Sequence, residues 1–139
     1  MTQPQFFATP GYGPWMLENR HYQQAVRIGD RVEISGQGGW DDQLTFPESL
    51  DEEIVRAFDN VERTLATAGA TWRDVVSVDS FHVSDSPDVL SEAHGPVMIE
   101  QLRKRMGDRS PIWTVLGVAT LAAPKMRVEI RVTAVVGRS

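Results

Sequence analysis

The chain contains no cysteine, which excludes disulfides, thiolate-bound metals and a cysteine nucleophile. Histidine is nearly as scarce. The three histidines, His21, His82 and His94, stand at no metal-ligand spacing with each other or with Asp or Glu, so no metal site is expected. Basic charge is also in deficit. A formal net charge of -5 and an isoelectric point near 5.1 leave no basic stripe for phosphates, so nucleic acid is not an expected partner. No apolar run approaches the ~20 residues that span a bilayer. The N-terminus lacks a basic start followed by an apolar core. A cytoplasmic protein with no membrane association is expected.

What is present is one domain, residues 1–139, long enough to bury most of its surface. Residues 1–21, rich in Pro, Gly, Gln and aromatics, read as an irregular lead-in or a short edge strand. Tyr22–Ile28 reads as a strand closed by Gly29-Asp30. Arg31–Ser35 alternates with Val32 and Ile34 inward, and runs into Gly36-Gln37-Gly38-Gly39, where a bulge or close backbone approach is expected. That glycine run has neither dinucleotide nor P-loop spacing.

A helix follows from about Leu50, with Leu50, Ile54, Phe58, Val61 and Leu65 on one face and Gly69 as its stop. Thr71 to Asp74 resembles a capping box. Val75–Val83 is a strand with apolar residues on both faces, which makes it a candidate for a subunit interface. After the breaker Ser84–Asp88, a second helix is expected over Val89–Met106, disturbed at Gly95-Pro96, with Val97, Leu102 and Met106 inward.

The chain closes on two strands, Ile112–Val118 and Met126–Val135. In the last, Met126, Val128, Ile130, Val132 and Ala134 face one way, and Arg127, Glu129, Arg131 and Thr133 the other. The order of elements predicts an α+β domain of two layers, a mixed sheet with two helices on one face.

Few residues here point to chemistry by themselves. Glu129 between two arginines reads either as a solvated carboxylate in cross-strand ion pairs or as a general base in a desolvated pocket. Trp113 and Tyr22 read as core or interface aromatics. His82 reads as a strand residue satisfied by its neighbours.

An ordered set of pieces resembles the RidA/YjgF/YER057c family, the reactive-intermediate deaminases. The pieces are Tyr22 to Gln37, Asn60-Val-Glu with Ala68-Gly-Ala70, Asp74-Val-Val-Ser-Val with Phe81, Val118-Ala-Thr-Leu121, and Val128-Glu-Ile130. The resemblance implies a chorismate-mutase-like (YjgF-like) fold assembled as a homotrimer with clefts between subunits. It also implies cofactor-free, metal-free hydrolysis of imines or enamines to carbonyl compounds and ammonia. Carried over residue by residue, it implies Glu129 and Tyr22 as catalytic groups, and Gly36, Trp113 and Val115 as substrate-binding positions. The family's carboxylate-clamping arginine stands two residues after a proline; here Pro111-Ile112-Trp113 puts tryptophan in that place. Trp has one N–H and no charge, whereas a charge-assisted fork contributes several kcal/mol. Arg109 lies four residues away, roughly 13 Å along a strand, and is no obvious substitute. An apolar or aromatic ligand, different from a simple amino-acid imine, is therefore expected. A non-catalytic trimeric module for ligand or protein binding is the alternative.

Overall fold

The strict alternation of the last strand decides the architecture, because one face of that strand must be covered by helices. In the computed structural model, which describes residues 2–90 and 93–137, strand β7 (Val128–Val135) lies inside a sheet. The other strands are β1 (Gln5–Phe7), β2 (Ala25–Ile28), β3 (Arg31–Ile34), β4 (Gln37–Gly38), β5 (Val75–His82) and β6 (Ile112–Gly117). Their order is β1-β2-β3-β7-β5-β6, with β4 also pairing β7 beside β3. Only the β5–β6 pairing is parallel, which makes the sheet mixed.

Val128, Ile130, Val132 and Ala134 are almost wholly buried. They meet helix α2 (Leu50–Thr67), whose Ile54, Ala57, Phe58, Val61 and Leu65 are likewise shut off from water. Ser49 caps the helix by accepting from the Glu52 N–H at 3.2 Å, and Asp51, Glu52 and Glu53 in the first turn complement its dipole. Its end is followed by Gly69 at φ +80°, the left-handed region that glycine enters most easily. The expected capping box is present: the Thr71 N–H donates to Asp74 at 2.8 Å, opening one 3-10 turn over Trp72–Asp74.

Strand β5 breaks its alternation at its start. Val75 pairs with Ala134 and Ser77 with Thr133, so Val76 is an inserted residue. This bulge puts both Val75 and Val78 in the core and leaves Val76 exposed. Helix α3 spans His94–Met106, not the whole of the expected Val89–Met106. Val89 and Leu90 form a turn, and residues 91–92 of that span lie outside the described residues. Gly95-Pro96 therefore falls in the first turn, where proline's missing N–H has no intrahelical acceptor to lose. Gly95 is sterically required, since a Cβ there would meet the Leu90 carbonyl oxygen at 1.6 Å.

The lead-in needs correction. Besides the edge strand β1, residues 1–21 contain helix α1 (Gly13–Arg20), so three helices accompany the sheet rather than two. Pro14 sits in its first turn and it closes on His21 at φ +58°. Its pattern is weak because only Gly13 and Met16 are buried. Met16 joins Tyr12, Trp40 and Met126 in a small second core separate from the main one.

One ion pair ties α2 to the start of β7. Glu53 is fully buried and accepts both the Arg127 backbone N–H and its Nε–H at 2.7 Å. Arg127 Nη2 donates to the carbonyls of Pro47 and Glu48, each at 3.1 Å. Arg127 precedes the ladder, so it turns toward α2 instead of following Glu129. Removing it would leave a buried carboxylate without its counter-charge. Arg127→Ala should lower the unfolding free energy by about 3–5 kcal/mol, measured by urea denaturation; a loss below about 1 kcal/mol would show the pair to be incidental.

Candidate functional site

Because Val128 and Ile130 face the helices, Glu129 must face the other side of the sheet. Its Cα partners are Gly38 on β4 and Phe81 on β5. The carboxylate lies back over Gly36: a Cβ at that position would sit 2.3 Å from Glu129 Oε1 and 2.7 Å from Cδ. Gly36 is thus demanded by close approach rather than by backbone conformation. The segment beneath is pinned by buried amides. Tyr12 donates to Gln37 Oε1, Gln37 Nε2 donates to Gln24 Oε1 at 2.7 Å, and the Ser35 N–H donates to the Gln24 carbonyl at 2.8 Å.

Above Glu129 opens a cavity of about 290 Å³. Helix α1 contributes Trp15, Met16 and Arg20, and the residues after the glycine run contribute Trp40, Leu44 and Phe46. Tyr22 and Gly36 also line it. Among the described residues the Tyr22 hydroxyl has only the Met16 thioether as partner, at 3.4 Å, a weak acceptor that leaves the hydroxyl available.

Glu129 is half-buried, and its carboxylate makes no hydrogen bond or ion pair with the described residues. Loss of hydration pushes its pKa above the ordinary carboxylate value. The flanking ion pairs that a solvated reading would need do not form. Arg127 is engaged by Glu53, and no salt bridge joins Arg131 to Glu129 among the described residues. A carboxylate so placed holds a proton more readily than a hydrated one, a property that suits a general acid or base.

Comparison with known proteins agrees with the fold. The family model described as Endoribonuclease L-PSP matches residues 16–136. The Escherichia coli protein named RutC family protein YjgH is 31% identical over 115 residues, covering 83% of this chain and 84% of that one. This chain belongs to the RidA/YjgF family. A solved structure of protein YjgH, 28% identical, superposes with a TM-score of 0.78 over 96% of both chains. A Dermatophagoides farinae protein named 2-iminobutanoate/2-iminopropanoate deaminase is 35% identical over 80 residues, 51% of this chain and 61% of that protein.

Of the residues that the RidA/YjgF resemblance singled out, Tyr22, Gly36 and Glu129 meet in one cavity of one chain. Trp113 and Val115 do not join them. They lie on edge strand β6 opposite Val78 and Ser80, and so on the helix-covered face, the reverse of Glu129. The residues that sequence reasoning missed are Trp15 and Arg20, on a helix too short and too weakly patterned to announce itself.

The Trp113 N–H is already in use. It donates to Ser80 Oγ at 2.9 Å, and it begins a buried chain whose protons can be assigned from its ends. Tryptophan can only donate and a carbonyl can only accept. His94 Nε2 lies 3.0 Å from the Val83 carbonyl and therefore carries the proton. In the neutral ring its Nδ1 accepts from His82 Nδ1–H at 2.9 Å. His82 Nε2 then accepts the Ser80 hydroxyl proton at 2.8 Å. Every polar atom along the line is satisfied with both rings neutral, as expected of His82.

Desolvation first, and then the His94 charge, push the His82 pKa down to about 4. Desolvation lowers that of His94 as well, opposed by the Val83 carbonyl. A depressed histidine pKa means stability that is whole above the unfolded value near 6.5 and is lost as pH falls through the folded value. Roughly 3 kcal/mol of stability should disappear between pH 6.5 and about pH 4. Denaturation curves across that window, with the His82 ring signals followed by NMR, check this. A ring titrating near 6.5 contradicts it.

Proposed function

We propose that the cavity over Glu129 hydrolyses or tautomerises an imine- or enamine-type metabolite in the cytoplasm. The observation that carries this reading is a half-buried carboxylate with a raised pKa, unpaired among the described residues and set in an apolar cavity. The 2-iminobutanoate/2-iminopropanoate deaminase name of one relative supports it. In this reading Glu129 takes a proton from water as the water oxygen bonds to the imine carbon. The imine nitrogen takes up a proton as water adds, giving the carbinolamine; a second proton on that nitrogen lets the C–N bond break as the carbinolamine hydroxyl gives its proton to Glu129, releasing ammonia and a carbonyl compound. Starting from an enamine, protonated Glu129 first gives its proton to the β-carbon, producing the iminium ion that water then attacks. No cofactor takes part. Tyr22, whose hydroxyl turns from Met16, holds the substrate, and Gly36 keeps the carboxylate close to the sheet.

Glu129→Gln should lower kcat/KM for imine hydrolysis by about 10²–10⁴-fold, followed as ammonia release. The wild-type pH profile should show a base limb above the ordinary carboxylate range, because only ionised Glu129 accepts the proton. Equal turnover by the variant on an imine that wild type accepts would reject Glu129 as base. No turnover of any imine or enamine by wild type would instead favour a ligand-binding or protein-interaction module. One observation leans toward that second reading: Trp113 stands where deaminases carry arginine, and its N–H is held by Ser80.

Trp113 and Val115 enter the proposal through assembly. Phe6, Ile112 and Leu116 are exposed by 56%, 74% and 45%, and pairing register puts all three on the sheet face opposite the helices. A homotrimer that covers this face would bring the edge strand β6 of one copy to the cavity of the next. Ile112→Asp should shift wild-type trimer toward monomer in analytical ultracentrifugation while the far-ultraviolet circular dichroism is kept. A variant that sediments as wild type places the interface elsewhere.

A further inference from the structure

We infer that Arg20 selects the ligand of this cavity by its charge, so that the molecule bound there joins a carboxylate to an apolar or aromatic group. The inference rests on the reading of the cavity as a ligand site, and it is read out by binding rather than turnover. Arg20 is the only Lys or Arg among the residues lining the cavity. Its guanidinium lies over the Trp15 ring, 5.0 Å from the centroid. A cation–π contact of this kind holds the guanidinium against the cavity wall and leaves N–H donors free to meet a planar carboxylate. No hydrogen bond or ion pair engages those donors among the described residues.

The contrast with the framework arginines makes the point. Arg127 holds Glu53, Arg105 holds Asp59 and Glu62, and Arg63 holds Asp42. Arg109 is tied to the carbonyls of Arg73 and Val75. Each of these joins two parts of the fold. Among the described residues the Arg20 guanidinium meets Trp15, on its own helix, and no side chain from another part of the fold.

The remaining lining fits the other half of such a ligand. Trp15, Trp40, Phe46 and Met126 offer apolar surface, which favours a flat or bulky hydrocarbon group. Glu129, carried by β7 while Arg20 is carried by α1, supplies the only carboxylate of the lining. A monoanion can therefore place its charge on the α1 wall and its neutral body toward Glu129. A second negative charge on that body would meet the ionised carboxylate and be repelled.

The test uses 3-phenylpropanoate and its neutral amide as probes, with affinities measured by isothermal titration calorimetry on the assembled protein. Wild type should bind the acid at least tenfold more tightly than the amide, with the preference weakening as salt is raised. Arg20→Gln should abolish the preference by weakening the acid alone, and Arg20→Lys should keep part of it. Equal binding of acid and amide by wild type, no binding of either, or an undiminished preference in Arg20→Gln overturns the inference. The reading of the site as catalytic fails separately, if Glu129→Gln turns over imines like wild type while acid selectivity persists.

Discussion

Everything in this molecule depends on the parity of β7. A strand has two faces and no third choice, so four buried aliphatic residues under the helices oblige Glu129, Arg131 and Thr133 to face the other way. A slip of one residue in the pairing with β3, β4 or β5 would bury Glu129 beneath α2 and expose Ile130 and Val132. The register is held at one end by Glu53, which grips the backbone as well as the side chain of Arg127. It is held in the middle by Gln37 and Gly38, which pair with Ile130 and Glu129. The core and the cavity carboxylate are thus two outcomes of a single alternation.

The second layer of organisation is the small aromatic core around Tyr12, Met16, Trp40 and Met126. It lies apart from the main hydrophobic layer and builds the walls of the cavity. The sheet supplies the acid, whereas α1 and the residues after the glycine run supply the apolar surroundings that raise its pKa. An acid on a bare sheet would be hydrated and ordinary. Here the fold half-buries the carboxylate and gives it no counter-ion among the described residues, the setting in which a carboxylate pKa rises.

Much of this was legible in the sequence. The alternation of β7, the face of α2 and the capping box at Thr71 were written in spacing and residue type. The resemblance singled out Glu129, Tyr22 and Gly36, and these come together. What the sequence concealed has particular causes. Helix α1 has too few inward residues to show a period, so Trp15 and Arg20 were not seen as parts of a site. The bulge at Val76 is one inserted residue and has no signature of its own. The start of α3 was obscured because Gly95-Pro96 reads as a break, although both residues suit a first turn. The partnership of His82 with His94 depends on β5 meeting the beginning of α3, which no local pattern encodes.

The line from Trp113 through Ser80, His82 and His94 to the Val83 carbonyl has a direction, with a donor at one end and an acceptor at the other. None of its inner members can be exchanged for an aliphatic residue without stranding a neighbour in a dry interior. Substitutions along it are therefore coupled. A first change carries a penalty that a second, adjacent change can relieve. A lineage altering Trp113 to widen or recharge a cleft would be steered by Ser80 and the histidines behind it. The history of that strand edge would be written in the interior as much as at the surface.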